Sequence, residues 1–443
     1  MNKKKKNIVL YYKSIQIMSG GGLLQIVAYG AQDIWLTGNP QVTFFKQLYR
    51  RHTNFSMQSV EAQFNGAVGF GRTVSVVVPR VGDLMGRTYL EATLPAVSSG
   101  EVSFQWDLEV GNFLIEEVEV QIGGQVIDKH YGYWLSIWSQ LTLDRGKTEG
   151  YNAMVGGYAQ ANTTTLPYLL FVPLQFWFCR HTGLALPLIA LQYHEVRIVV
   201  KFATFRALIA KSSPAQLEYP NGDATPIESI PDLTDAKLYI DYIFLDTSER
   251  RKMAQTSQEY LIDQLQFTGN EVLNSNGVTK IKLNFNHPVK ELIWIVMSTE
   301  RKNRHFALPG NRTNLVTGEV IDDKNPVAEA KLQFNGHDRF STRNGRYFSD
   351  VQPYQHHTNI PTEAGINVYS FALYPELEQP SGTANFSRID NATLSLSLTT
   401  SAQMEDMLPD ASGVNLLHEA KIYAVNMNVL RIMSGMGGLA YSN

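Results

Sequence analysis

Short strand-like runs recur along most of the chain, punctuated by Gly, Pro and Asn, and in VEVQI and TLSLSL apolar and polar residues alternate with period two. In the first half the runs are TVSVVVP (73–79), TYLEATLP (88–95), LIEEVEVQIGG (114–124) and HEVRIVVKF (194–202). In the second half they are KIKLNF (280–285), ELIWIVM (291–297), EAKLQFNG (329–336), NVYSFAL (367–373) and ATLSLSLT (392–399). Such alternation turns one face of a strand to a core and the other to water. Many short strands separated by turn signals predict an antiparallel sandwich or barrel. Helical patterns are few: 38–52, 132–144 and 247–264. The last is polar and charged and lies between the two strand-rich halves, so it reads as a linker.

The halves also echo each other. QFNG beginning at Gln63 is matched by QFTG beginning at Gln266, and Asp83, ahead of a strand pattern, by Asn286. Gly124 closing VQIGG is matched by Gly336 closing LQFNG, and Val196 by Ala392. Four anchors in the same order, each pair about 200 residues apart, indicate two copies of one β domain with loops of different length. A copy of that size with around eight strands fits a jelly roll better than a seven-stranded immunoglobulin sandwich. The predicted fold is therefore all-β: two tandem eight-stranded antiparallel jelly rolls with long loops and a few short helices. The expected division is an N-terminal tail and arm at 1–44, a first jelly roll at 45–247, a linker at 248–257 and a second jelly roll at 258–443. Long surface loops are expected at 145–165, 211–235 and 299–326, where Gly, Pro, Asn and Thr concentrate.

Composition sharpens this picture. The 443 residues are 44% hydrophobic and 18% charged, with 21 Tyr and 21 Phe, as suits pleated, half-buried surfaces. A net charge of −3 argues against a basic surface that neutralises nucleic-acid phosphates. The single cysteine, Cys179, cannot form an intrachain disulfide, which fits folding in a reducing compartment. At the N-terminus, Lys3 to Lys6 imitate the start of a signal peptide, but the apolar stretch Ile8 to Tyr12 is too short and is broken by Lys13. Neither cleavage nor membrane spanning is expected; residues 1–17 read as a tail, or as the product of a start codon upstream of Met18. The segment 20–45, with Leu23, Leu24, Ile26, Val27, Ile34 and Trp35, is too apolar for a free tail and is expected to dock on something.

No catalytic, cofactor or metal site is expected. His356 and His357, with His337 nearby in sequence, lack metal-ligand spacing and read as a surface loop. Glu116 with Glu117, and Asp322 with Asp323, are neighbours and do not have the spacing of a glycosidase pair. Lys46, Tyr49, Arg50, Arg51 and His52 form a basic aromatic cluster best read as a short amphipathic packing helix. Cys179, among aromatics, reads as a buried small hydrophobe. The sequons at Asn54, Asn162, Asn311, Asn385 and Asn391 matter only in a secretory compartment.

Several long stretches carry a family likeness: IVAYGAQDIWLTGNPQVTFFKQLYRRHTNF (26–55), IGGQVIDKHYGYW (122–134), GLALPLIALQYHEVRI (183–198), DYIFLDTSERRKMAQTSQEYLIDQLQFTG (241–269), LNFNHPVKEL (283–292), QPSGTANFSRIDNATLSL (379–396) and NVLRIMSGMGGLAYSN (428–443). In these the chain resembles the major capsid proteins of nucleocytoplasmic large DNA viruses, those of the algal phycodnaviruses above all. The resemblance implies a structural protein and not an enzyme. It implies two jelly rolls per chain, three chains per pseudo-hexagonal capsomer, and an icosahedral virion shell made in the host cytoplasm. The partners it implies are two further copies of the chain, neighbouring capsomers, minor capsid proteins and surface glycans, without sequence-specific nucleic-acid binding. The competing reading, a carbohydrate-binding or glycosidase-like β-sandwich protein, would need a carboxylate pair or a clustered aromatic platform.

Overall fold

The computed structural model describes residues 20–41, 47, 49–96, 105–157, 166–210, 232–274, 277–298, 312–313, 320–321, 325–362, 365–399 and 418–441. The chain divides into two units, Met1–Thr53 and Asn54–Asn443. In the first, helix α1 (Gly20–Val27) and the single turn α2 (Ile34–Thr37) carry exposed apolar side chains, with Trp35 90% exposed. Among the described residues of 38–52 none is helical, so the helix expected there is not found on them; Lys46 lies outside the described residues.

In the second unit each of the nine strand-like runs contains a strand, and further strands join them. Leaving aside two-residue strands at Gln105–Trp106, Leu186–Pro187 and Ile209–Ala210, eight strands of the first half are β1 (Phe55–Gln63), β2 (Thr73–Val77), β3 (Leu84–Leu94), β4 (Ile115–Ile122), β5 (Gln125–Tyr131), β6 (Tyr168–Pro173), β7 (Val196–Phe202) and β8 (Asp235–Leu245). They form one sheet in the order β1-β8-β3-β6 and a second in the order β2-β7-β4-β5, with antiparallel pairing throughout. In the second half, beside short strands at Arg312–Thr313, Val320–Ile321, Arg343–Asn344 and Ala384–Asn385, the corresponding eight are β9 (Gln258–Leu273), β10 (Val278–Lys282), β11 (Pro288–Ser298), β12 (Val327–Phe334), β13 (His337–Asp338), β14 (Asn367–Ser370), β15 (Ala392–Leu398) and β16 (His418–Met433). Their sheets run β9-β16-β11-β14 and β10-β15-β12-β13, again antiparallel. Each strand of the first set has its counterpart in the second, at the same place in the corresponding sheet. This is a double jelly roll.

The sequence anchors fall on equivalent positions. Val196 and Ala392 open β7 and β15, and Asp83 and Asn286 stand just ahead of β3 and β11. Gly124 and Gly336 end the two-residue turns β4–β5 and β12–β13, at φ of 84° and 83°, each after a residue that is itself left-handed, Gly123 at 59° and Asn335 at 50°. Two successive positive φ values make the turn whose twist matches a hairpin, and Gly or Asn accepts that conformation at least cost.

Three expectations are corrected. The helix expected at 247–264 stops at Gln255 (α6 below), and Gln258 already belongs to β9, whose side chains alternate in exposure as a strand's do. The loop expected at 145–165 begins with a helix, Arg145–Val155, capped by the Asp144 side chain accepting from Gly146 N and anchored by buried Tyr151 and Val155. Within 299–326, Arg312–Thr313 pairs with Val320–Ile321 as a short ladder, and Asn325 is buried; residues 299–311, 314–319 and 322–324, like 158–165 and 211–231, lie outside the described residues. In chain order the helices used below are α3 (Gly132–Thr142), α4 (Arg145–Val155), α5 (Trp177–Arg180), α6 (Thr247–Gln255) and α7 (Gln352–His356).

The core of the first sandwich does not end at its own sheets. It continues onto one face of the β9-β16-β11-β14 sheet, taking in Ile262, Ile293, Ile295, Tyr423, Val425 and Ile432. The opposite face of that sheet, with Leu292, Trp294, Val296 and Ile422, packs against Ile281, Leu332, Leu394 and Leu396 of the second sandwich. Burial on both faces explains why β11 reads LIWIV, unbroken by polar residues, while β4 alternates Val118 and Val120 with Glu117 and Glu119.

Candidate functional site: the seam between the two sandwiches

For a protein whose described residues hold no reactive constellation, the informative site is this shared face. Its centre is aromatic. Tyr131 at the end of β5 and Trp134 of α3 meet Phe267 of β9 and Tyr423 of β16, with ring centroids 5.0 Å apart for Tyr131–Phe267, 4.8 Å for Phe267–Tyr423 and 5.7 Å for Trp134–Tyr423. Helix α3 delivers Trp134 and Trp138 because its run GYWLSIWSQLT is apolar at spacing four, one face of a helix. Lys421 lies 5.0 Å above the Tyr133 ring, and burial lowers its pKa.

Polar stitches flank the aromatic centre. Buried Asp128 accepts a hydrogen bond from Leu265 N across the seam (3.0 Å) and pairs with His130 Nε2 (3.0 Å), while the Gln264 amide donates to Ile127 O. Beside them Lys290, almost fully buried, places Nζ 3.0 and 3.2 Å from the Asp263 carboxylate and 3.0 Å from Leu377 O. Arg180 of α5 reaches Asp263 from the first sandwich at 3.6 Å and stacks over Trp138 at 4.1 Å. Burial pushes the Asp263 carboxyl up, against the pull of Lys290 and Arg180. Asn359, just after α7, donates its backbone N–H to Leu141 O (3.0 Å) and its amide to Leu143 O, closing the C-terminal end of α3.

The last stitch is the C-terminal hairpin, β16 to β17 (Met436–Leu439). Tyr193 N donates to Gly435 O (2.9 Å), and His194 Nδ1 lies 2.9 Å from Gly437 O. A Cβ at Gly435 would stand 2.5 Å from the Tyr193 ring, and one at Gly437 2.6 Å from Leu191 Cδ2. The glycines of MSGMGGL thus allow the hairpin to lie against the turn at 191–194.

The residues weighed in the sequence fall elsewhere or take structural roles. Cys179 is buried, with its thiol pushed up to about 12 by burial, which leaves no thiolate for nucleophilic attack near neutral pH. Glu116 pairs with Lys201 (2.7 Å) and Glu117 with Lys129. His337 is exposed in β13, and the His356 ring contacts Leu373 O at 3.0 Å. His357 is a correction: its side chain is buried, not exposed on a surface loop, because Glu291 and Glu376 flank its ring. Tyr49, Arg50, Arg51, His52 and Asn54 are exposed, Asn385 caps the turn at Ser387 N, and Asn391 N donates to Asn335 Oδ1. Asn162, Asn311, Asp322 and Asp323 lie outside the described residues. Sequence reasoning missed Asp128, Arg180, Asp263, Lys290 and Asn359; the available signal was charge inside apolar runs, as in PVKELIWIV and YLIDQLQF.

Comparison with known proteins agrees with this architecture. Residues 43–246 match the family model "Major capsid protein N-terminus", and residues 249–438 match "Large eukaryotic DNA virus major capsid protein". A major capsid protein of Pyramimonas orientalis virus is 48% identical over 96% of the chain and all of its own length. The chain belongs to the major capsid proteins of large eukaryotic DNA viruses. That of Paramecium bursaria Chlorella virus 1 is 42% identical, also over 96% of the chain and all of the relative. The quasi-atomic model of that virus's capsid superposes with a TM-score of 0.74 at 36% identity, over 90% of this chain and all of that one. The major capsid protein of Faustovirus shares the fold at a TM-score of 0.67 and 13% identity, over 97% of this chain and 98% of that one. This major capsid protein is thus a structural component of the virion shell. No described helix is long and apolar enough to cross a membrane.

Proposed function

We propose that this capsid protein works as a homotrimer, a pseudo-hexagonal capsomer that paves an icosahedral shell. The observation that carries the reading is the seam: two sandwiches of identical strand order are joined through one buried face, so each chain presents two similar building blocks in a fixed relation. Three such chains around an axis offer six similar edges, and closed symmetry makes each edge serve the same contact. In this reading residues 45–247 and 258–443 are the two blocks, 248–257 the linker and 1–44 the arm. The arm's apolar side chains dock on the shell's inner side, against neighbouring copies or minor capsid proteins. In the same reading the long loops belong to the outer face or the capsomer edge, surface glycans are among the partners, and the chain is made in the host cytoplasm.

The test is the mass of the purified full chain by light scattering on a sizing column. A species of three times 49.7 kDa that persists on dilution is expected; a monomer at micromolar concentration would reject the capsomer reading.

A further inference from the structure

The second sandwich contains a buried ionic cluster next to the seam. The side chains of His357 and Glu291 are fully buried. His357 Nδ1 lies 2.8 Å from Glu376 Oε1, and Nε2 lies 2.9 Å from Glu291 Oε2. A neutral imidazole has one N–H, so only the imidazolium presents a proton to both carboxylates. The Nε2–Glu291 contact is a close ion pair without hydrogen-bond alignment, since neither Glu291 oxygen nor His357 Nε2 has a hydrogen-bond partner among the described residues, so the two side chains compensate each other by charge. A buried carboxylate that loses such compensation is strongly destabilised.

The other charged groups around the ring are committed elsewhere. Lys290, next to Glu291 on β11, directs Nζ to Asp263 of β9 and to Leu377 O, and Arg180 of α5 also faces Asp263. Glu376 accepts from Thr358 N (2.9 Å) and Thr358 Oγ1 (2.5 Å) as well as from His357. His356 turns to Leu373 O. Two residues beyond His357, Asn359 makes the hydrogen bonds to Leu141 O and Leu143 O that close α3 of the first sandwich. One short segment, 356–359, therefore holds the ion cluster and one edge of the seam together.

We propose that His357 is an alkali-sensitive latch: charged, it pins residues 356–359 between β11 and the 373–378 segment and keeps Asn359 on α3, and neutral, it releases them and loosens that edge of the seam. Burial alone favours the neutral ring, but Glu291 and Glu376 outweigh it and push the pKa up to about 9. The same contacts, with those from Thr358, hold Glu376 below its ordinary value despite burial. A histidine whose folded pKa exceeds its unfolded value of about 6.5 stabilises the fold fully below pH 6.5 and loses that contribution as pH rises through about 9. The latch is therefore shut at neutral pH and opens in alkali. It stands on the geometry of one chain and does not depend on the trimer reading.

Hydrogen–deuterium exchange of the full chain between pH 7.5 and 10.5, corrected for the base catalysis of intrinsic exchange, tests the latch. Amides of 352–362 and of 139–143 are expected to exchange at least ten-fold faster above the step than below it, while β7 stays unchanged. His357→Gln is expected to exchange fast in both segments across the whole range, without a step. Glu376→Gln, altered at the outer edge of the cluster, keeps the step but moves it to lower pH, and carries the test if His357→Gln does not fold. The latch is overturned by a wild-type profile without a step, by a step that survives in His357→Gln or keeps its midpoint in Glu376→Gln, or by one that includes β7.

Discussion

At the scale of single residues, the charges inside the molecule divide by whether their partner is replaceable. Lys290 and Asp263 are both sequestered, Lys290 the more deeply, at 2% side-chain exposure against 13%. Removing Asp263 leaves the buried ammonium, among the described residues, hydrogen-bonded to the Leu377 carbonyl, whereas removing Lys290 leaves Asp263 facing Arg180. Breaking a buried pair from the side that strands a charge costs about 3–5 kcal/mol. Asp263→Ala is accordingly expected to lose about that much in urea unfolding. Lys290→Met, which fills the same volume with an apolar chain, is expected to lose less than about 2 kcal/mol. Equal losses in the two variants would show that Lys290 is not held by Asp263.

At the scale of elements, the β9-β16-β11-β14 sheet decides how independent the second sandwich can be. Its outer face is the wall of the first sandwich's core. Exposing Ile293, Ile295, Tyr423 and Val425 alone would forfeit roughly 1.5–3 kcal/mol for each side chain. Together that rivals the roughly 5–15 kcal/mol that stabilises a whole domain. Residues 258–443 expressed alone are therefore expected to aggregate, or to bind an apolar dye while melting without a sharp transition. A soluble, cooperatively folding fragment would mean that the seam is a contact between finished domains. Of this sheet, β11 and β14 were legible as the strand-like runs ELIWIVM and NVYSFAL, without any sign that both faces of β11 are buried. Helix α4 and the early end of α6 were not. A Gly- and Asn-containing polar helix such as RGKTEGYNAMV forms because Tyr151 and Val155 find a core to enter, which local pattern does not record.

At the scale of the whole molecule, the arm carries a run of exposed apolar side chains. Leu23, Leu24, Ile26, Val27, Trp35 and Leu36 are all more than half exposed, a patch that a soluble protein covers with a partner. Deleting residues 1–17 is expected to leave trimers and particles unchanged, whereas deleting 1–37 impairs trimer stability or shell assembly, as read by sizing and by electron microscopy of particles. Normal particles from the longer deletion would show that the arm is dispensable.

What the sequence determined by itself was the repeated unit: strand-like alternation, the Gly-closed turns at Gly124 and Gly336, and the matched order of anchors are local properties, set by backbone sterics and by which side of a pleat is apolar. What only the tertiary structure decided was which polar groups the seam encloses. Asp128, Arg180 and Asn359, and His357 beside them, look like ordinary surface residues in the chain, while Asp263 and Lys290 stand out only as charges inside apolar runs. Each can be buried because a partner from a distant strand, helix or loop meets it there. Such compensation is a property of the assembled fold, and it comes into being only when the two sandwiches close on a common face.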